Sequence, residues 1–295
     1  MLLGVHCANL TWPGGAEALG TTLSGVARAA DEGGFATLTL MDHYFQMEHL
    51  GGPPEPMLEG YTSLGFLAGQ TSRIELGLLV TGVTYRHPGL LAKVVTTLDV
   101  LSGGRAMLGL GAAWYEREHR AFGVPYPSTR ERFERLEETL QIVRQAWGDG
   151  GRYDGRHYTL DDLTVVPQPL QPGGPRIMVG GMGERKTLRL VAQYADACNF
   201  FMAPPEEIAH KLDVLRVHCD DVGRDYDEIA KTMVGTLNRP LDDVDGWLAS
   251  MEQYAALGIS QVWVGPDATD PVAWTEQMSE HVVPRLSQLG STAGP

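Results

Sequence analysis

The chain is short of cysteine, of positive charge and of long apolar runs, and each shortage removes a class of protein. Three cysteines, Cys7, Cys198 and Cys219, stand among 295 residues. An odd number with no CxxC spacing frames neither a disulfide scaffold nor a zinc site, so the thiols read as reduced and the expected compartment is the cytoplasm. Lys and Arg total 23 against 37 for Asp and Glu, a formal net charge of -14. That balance repels polyanions, so no nucleic-acid partner is expected, although backbone dipoles or a few cations can still receive a small anion. No apolar run approaches the roughly 18 to 20 residues that span a bilayer, so no membrane partner is expected either, and Met1 leads into a short strand pattern without a basic export signal. The histidines form no HxH or HxxxH pair, and no GxSxG elbow or Walker A loop occurs. Barrel metallohydrolases, α/β-hydrolases and P-loop enzymes are set aside on that ground, and no metal site is expected.

What is present is organised around residues 74–123. An apolar segment at 74–83 leads through Pro88 into apolar positions 91, 94, 95, 98 and 101, then Gly103-Gly104, then a second apolar segment at 106–110. Proline in a first turn, a helical stripe and a glycine stop agree on strand, helix, strand, which makes a right-handed parallel crossover. Small residues, Thr81-Gly82 and Gly111-Ala112-Ala113, lie just past each strand, the second set beside Trp114. At the C-terminal edge of an α/β sheet such residues let a flat ligand reach the backbone, although they would also serve to turn the chain.

The same alternation runs the length of the chain. A strand at 2–8 and a helix ending at Gly33-Gly34 precede a second strand at 35–41, then a long loop over Asp42 to Pro54 and a helix from about 57 to 71. After the central stretch, residues 115–127 read as irregular. Ser128 and Glu131 form a capping box for a helix whose apolar face is Phe133, Leu136, Leu140, Val143 and Trp147. Residues 148–175 read as an insertion holding a hairpin. Four more units follow, with strands at 176–179, 197–201, 229–235 and 261–265 and helices beginning near 184 and running over 204–222, 241–257 and 271–289. Eight consecutive βα units in one domain, 1–295, predict a (β/α)8 TIM barrel with an insertion between its fourth helix and fifth strand.

Chemistry concentrates at the strand ends. Asp42-His43 sets a carboxylate beside an imidazole able to move a proton at neutral pH; a structural pair is the alternative. Gly180-Gly181-Met182-Gly183 after the fifth strand opens a helix whose amides and dipole can hold a phosphate, with Arg185 and Lys186 in its first turn, although a plain tight turn would show the same glycines. His6, Cys7, His87, Trp114 and Glu116 would converge on the same mouth. The aromatics Trp12, Phe45, Trp114 and Tyr115 suggest an apolar or aromatic substrate, or packing.

On the segments LGVHCANLTWPGG, TLMDHYFQ, EPMLEGYTSLGFLA, LGLLVTGVTYRHPGLLAKVVTTLDVLSGGRAMLGLGAAWYEREHRAFG, ERFERLEETLQIVRQAW and GGMGERKTLRLVAQYADACNFF, the chain resembles the luciferase-like family, within it the coenzyme F420-dependent oxidoreductases. The resemblance implies a deazaflavin ring held in the barrel mouth against a non-proline cis peptide at Leu79-Val80. It implies cofactor contacts at Asp42, Thr81, Ala112 and Ala113, and a phosphate-binding turn at Gly180, Gly181, Gly183 and Glu184. His43 matches a histidine that serves as acid or base in sugar-phosphate-oxidising members. Those members carry a glutamate where this chain has Trp114, and their substrate-phosphate cations have no clear counterpart here. The expected activity is hydride transfer between F420 and an organic small molecule. The alternatives are an FMN monooxygenase served by a separate reductase, and a non-catalytic F420-binding protein. A homodimer is expected from the family's habit.

Overall fold

Short buried strands alternate with helices in the computed structural model, which describes residues 1–235 and 239–290. The first unit runs from β1 (Leu2–Cys7) through α1 (Gly15–Glu32) to β2 (Thr37–Leu40). A long loop leads to α2 (Gly60–Ala68), β3 (Glu75–Leu78), β4 (Thr81–Gly82), α3 (Pro88–Ser102) and β5 (Met107–Gly111). Next come α4 (Glu116–Phe122), α5 (Thr129–Ala146) and an antiparallel hairpin of β6 (Gly151–Asp154) and β7 (Thr159–Leu163) within the expected insertion. The alternation resumes with β8 (Arg176–Gly180), α6 (Thr187–Tyr194), β9 (Ala197–Phe201), α7 (Pro205–Val222) and β10 (Ala230–Val234). It ends in α8 (Val244–Ala256), β11 (Ile259–Val264), α9 (Pro271–His281) and α10 (Val283–Leu286).

The large sheet is parallel throughout, in the order β3-β2-β1-β11-β10-β9-β8-β5-β4. Its two ends belong to one stave: only Leu79 and Val80 separate β3 from β4, and the peptide between them is cis. Leu76 of β3 bridges Ala106, just before β5, and donates its amide to the Arg105 carbonyl at 2.8 Å, so the sheet closes. The nine segments make eight staves, and the (β/α)8 barrel is the fold.

Side-chain alternation separates two cores. Leu3, Val5 and Cys7 of β1 join the layer between staves and helices, while Gly4 faces inward, where a Cβ would fall 2.3 Å from Trp263 Nε1. Met107, Met178, Ala197, Val234 and Trp263 pack together inside the barrel. Nearer the strand ends the inward positions are Gly109, Gly111 and Gly180; a Cβ on the first would meet the Leu78 carbonyl, and on the other two Val80, so each is kept small by what packs beside it.

Several element boundaries differ from the sequence reading. α2 starts at Gly60, not near 57, because the Glu59 carboxylate caps it, accepting from the Thr62 amide at 2.7 Å. The segment read as irregular after Trp114 contains α4, whose buried face is Glu118 and His119; a polar face gives no apolar periodicity to find. α6 starts at Thr187, so Arg185 and Lys186 lie in the turn before it and not in its first turn. The last helix is broken into α9 and α10 next to Pro284, which has no N–H to give. The stripe on α3 is narrower than its sequence suggests: Leu91, Val95 and Leu98 are buried, but Leu101 is exposed.

Candidate active site

The open end of the barrel is a cavity of about 660 Å³ bounded by the C-terminal ends of the staves, the loop after β2 and the start of α5. This is the face at which barrels of this kind place their sites.

Asp42 and His43 leave β2 side by side and are held by different partners. Asp42 is buried; its carboxylate accepts from the Gly82 amide at 2.9 Å and from Arg86 Nη1 at 2.7 Å. Arg86 reaches on to Glu59 at 2.6 Å and lies 4.8 Å from the centre of the Tyr61 ring, tying the chain after β4 to the cap of α2. Burial pushes the Asp42 carboxyl above the usual carboxylate range, with Arg86 and the Gly82 amide pulling against it. His43 donates from Nδ1 to Glu118 of α4 at 2.7 Å. Glu118 also accepts from the Tyr44 amide at 2.8 Å and from the Tyr85 hydroxyl. Burial would raise its carboxyl, but His43, Tyr85 and the Tyr44 amide together hold it below the usual range, so it is ionised and fixes the proton on His43 Nδ1. Nε2 of His43 has no hydrogen-bond partner among the described residues, and the ring lines the cavity.

Beneath Glu118, His119 donates from Nδ1 to the Tyr115 carbonyl at 2.8 Å, which leaves Nε2 to accept from the Thr84 hydroxyl at 2.6 Å. The Tyr85 ring stacks on His119 with centroids 4.5 Å apart. His6, inward on β1, also lines the cavity; burial lowers its pKa to about 4, so it is a neutral imidazole, its Nδ1 2.9 Å from Thr39 Oγ1.

Opposite the histidines is a shallow seat. A Cβ on Gly111 would lie 2.8 Å from Val80 Cγ2, and one on Gly180 would lie 3.0 Å from Val80 Cγ1. Val80 therefore fills the space beside these glycines, and the backbone at Gly111 and Gly180 stays bare toward the cavity.

The cavity gathers most of the residues singled out from sequence. Asp42, His43, Leu79, Val80, Thr81, Ala112, Ala113, Trp114, Gly180 and Gly181 all line it. Met182, Gly183 and Glu184 do not; the Glu184 carboxylate faces Lys211 at 2.6 Å and His210 at 3.2 Å. Trp12 is buried in the main core, while Phe45 and Tyr115 pack beside the cavity, with the Tyr115 hydroxyl donating to Glu48 at 2.8 Å. Cys7 faces the helix layer, His87 caps α3 and Glu116 pairs with Arg120 on the surface. Sequence reading missed Glu118, Arg86 and Arg132. The sole available hint for Glu118 was its position a few residues past the glycines of the fourth stave.

A family model described as "Luciferase-like monooxygenase" matches residues 5–238. The chain belongs to the luciferase-like monooxygenase family. Within this family it is similar to an F420-dependent glucose-6-phosphate dehydrogenase of Kineococcus radiotolerans, 36% identical over 166 residues, 56% of this chain and 48% of that protein. It is also similar to a phthiodiolone/phenolphthiodiolone dimycocerosates ketoreductase of Mycobacterium kansasii, 30% identical over 280 residues, 85% of this chain and 75% of that protein. The chain thus spans about half the length of the first of these relatives. An F420-dependent secondary alcohol dehydrogenase solved with an F420-acetone adduct shares the fold at a TM-score of 0.81 and 16% identity, covering 97% of this chain and 98% of that one.

Proposed function

We propose that this protein is an F420-dependent oxidoreductase that moves a hydride between the cofactor and an apolar organic small molecule. The observation that carries the reading is one cavity holding a bare-backbone seat beside Val80 and, facing it, an imidazole whose proton is fixed by a buried carboxylate. The cofactor fits this site on the structure's own terms: a flat ring needs the side-chain-free strand ends at Gly111 and Gly180, and Asp42 offers a polar edge contact. Asp42, Leu79, Val80, Thr81, Ala112 and Ala113 would hold the ring. When bound, the deazaflavin supplies or accepts the hydride. His43 gives or takes the accompanying proton at Nε2, and Glu118 keeps the ring oriented and Nδ1 protonated while it does so. Trp114 and Phe201, 57% and 66% exposed at the mouth, give the outer pocket an apolar rim suited to an apolar or aromatic substrate. The relatives named as F420-dependent support the choice of cofactor.

The test is a fluorescence titration of the purified protein with F420 and with FMN. Tight F420 binding without FMN binding is the expected result; the reverse would transfer the protein to the FMN monooxygenases. Oxidation of reduced F420, screened over ketones, enones and quinones, then distinguishes an enzyme from a cofactor store. We further propose a homodimer through α2 and α3, where Phe66, Leu90 and Leu101 are exposed apolar groups. Residence in the cytoplasm accords with three buried free thiols.

A further inference from the structure

His6 is the cavity group to which the hydride and proton steps above give no task. It points inward from β1 between Val5 and Cys7 of the outer layer, is only 4% exposed and forms part of the cavity wall. The Thr39 hydroxyl has two acceptors in reach, His6 Nδ1 at 2.9 Å and the Val5 carbonyl at 3.5 Å. The shorter contact is the one with hydrogen-bond strength, so Thr39 donates to Nδ1 and the proton of the ring sits on Nε2. Burial favours the uncharged ring, which makes that N–H the donor of a neutral imidazole. Nε2 has no partner among the described residues and, unlike the indole nitrogen of Trp263, is not shut off from the cavity. A donor left unpaired on the wall of a pocket is satisfied only by what enters it.

The strand order sets what this N–H faces. β9, β10 and β11 separate β1 from β8 on one side of the barrel, and β5, the β3–β4 stave and β2 separate them on the other. β1 therefore lies across from Gly180, and a flat ring seated on Gly111 and Gly180 turns its free face toward His6, with His43 at the end of the neighbouring β2. Of the other inward polar groups on the strands, Thr81 is engaged with the Tyr61 hydroxyl at 2.8 Å. Asn199 gives Nδ2 to the Thr232 hydroxyl at 3.0 Å, and that hydroxyl passes its own proton to the Cys198 carbonyl at 2.6 Å, so Asn199 keeps only its acceptor Oδ1. His6 is left as the N–H preset toward the space over the ring. The atom suited to it is a carbonyl oxygen that gathers negative charge, which a neutral imidazole can polarise without itself giving up a proton.

We propose that His6 donates from Nε2 to the oxygen of a carbonyl substrate, which makes this a site for a ketone and its secondary alcohol. In reduction the hydride from the cofactor adds to the carbonyl carbon, the C=O electron pair moves onto the oxygen held by His6, and that oxygen takes a proton from His43 Nε2; the ketone is reduced and the cofactor oxidised. This rests on the F420 reading, and the test separates the two. F420 dissociation constants, and rates with reduced F420 over a series of para-substituted acetophenones, are measured for the wild type, H6L and H6Q. H6L is expected to lower kcat about 10²- to 10³-fold with F420 affinity held within about 3-fold. The loss is expected to be greatest for electron-rich ketones, which steepens the dependence of rate on the ring substituent, a change that a merely structural role would not produce. H6Q, whose amide can still donate, is expected to fall between. Nitrogen NMR of histidine-labelled wild type is expected to show His6 neutral and protonated at Nε2, a measurement that stands even where H6L fails to fold; a proton on Nδ1 would overturn the proposal. Weakened F420 binding in H6L would make His6 a cofactor contact and overturn it too, as would equal substituent dependence in H6L and wild type, or a wild type that binds F420 and reduces no ketone. A wild type that binds no F420 would sink the F420 reading, and this one with it.

Discussion

Glu118 decides what His43 can do. An imidazole on a loop is a common sight; one whose Nδ1 proton is pinned by an ionised, buried carboxylate presents a defined Nε2 to the cavity. H43N is expected to lower turnover about 10²- to 10⁴-fold while F420 affinity stays within about 3-fold, read by steady-state rates against fluorescence titration. E118Q is expected to lower kcat roughly 10- to 100-fold through misorientation of the ring, with partial recovery in E118D. Had Glu118 only a packing role, Asp would do no better than Gln. His6 gives a prediction on stability. Its pKa falls from the ordinary 6.5 to about 4 through burial, so the unfolded chain binds the proton more readily than the folded one. The neutral ring's contribution is complete above pH 6.5 and is lost as pH falls toward 4, at most about 3 kcal/mol. Asp42, pushed up by burial, acts in the opposite sense and is common to both proteins, so urea denaturation of H6Q against wild type isolates the histidine. H6Q is expected to lose less stability than wild type across that window; parallel profiles would refute this. Asp42-His43 was legible as a pair in sequence because the two residues are adjacent at a strand end. Glu118 was not, since 75 residues separate it from its partner.

Elements position these residues. The third stave breaks at Leu79 and Val80, and Val80 fills the space beside glycines on the fourth and fifth staves. G111A would place a Cβ 2.8 Å from Val80 Cγ2, with Gly111 at the end of β5 and Val80 in the break between β3 and β4. It is expected to destabilise the fold by about 1 to 3 kcal/mol and to weaken ring binding at least about 10-fold. The double variant G111A/V80A is expected to recover stability, because the competing methyl groups are gone. Thermal unfolding and F420 titration read both effects. Strand and helix identities along the chain were legible wherever apolar periodicity marked them, as on α5. The exception, α4, has a buried face of glutamate and histidine, and local pattern cannot announce a polar face that only distant partners make favourable.

At the scale of the whole molecule, closure of the sheet brings the ends of β1, β2, β5, β8 and β9 to one rim, and the outer faces of α2 and α3 are left with exposed Phe66, Leu90 and Leu101. Leu90, Val94, Thr97 and Leu101 repeat at helical spacing along α3, and Leu90 and Leu101 are 68% and 73% exposed. Sedimentation velocity is expected to show a dimer for the wild type and a monomer for L90E/L101E, with the barrel still folded by circular dichroism. A monomeric wild type would remove the proposal. The count of βα units, the strand ends rich in small residues and the family were determined by the sequence alone, because periodicity, turn residues and motif order are local properties of a chain. Tertiary structure alone decided that Glu118 meets His43, that Arg86 spans Asp42 and Glu59, and that Arg132 lines the cavity. Each of those depends on which distant side chains share a low-dielectric space, and that is settled only when the barrel closes.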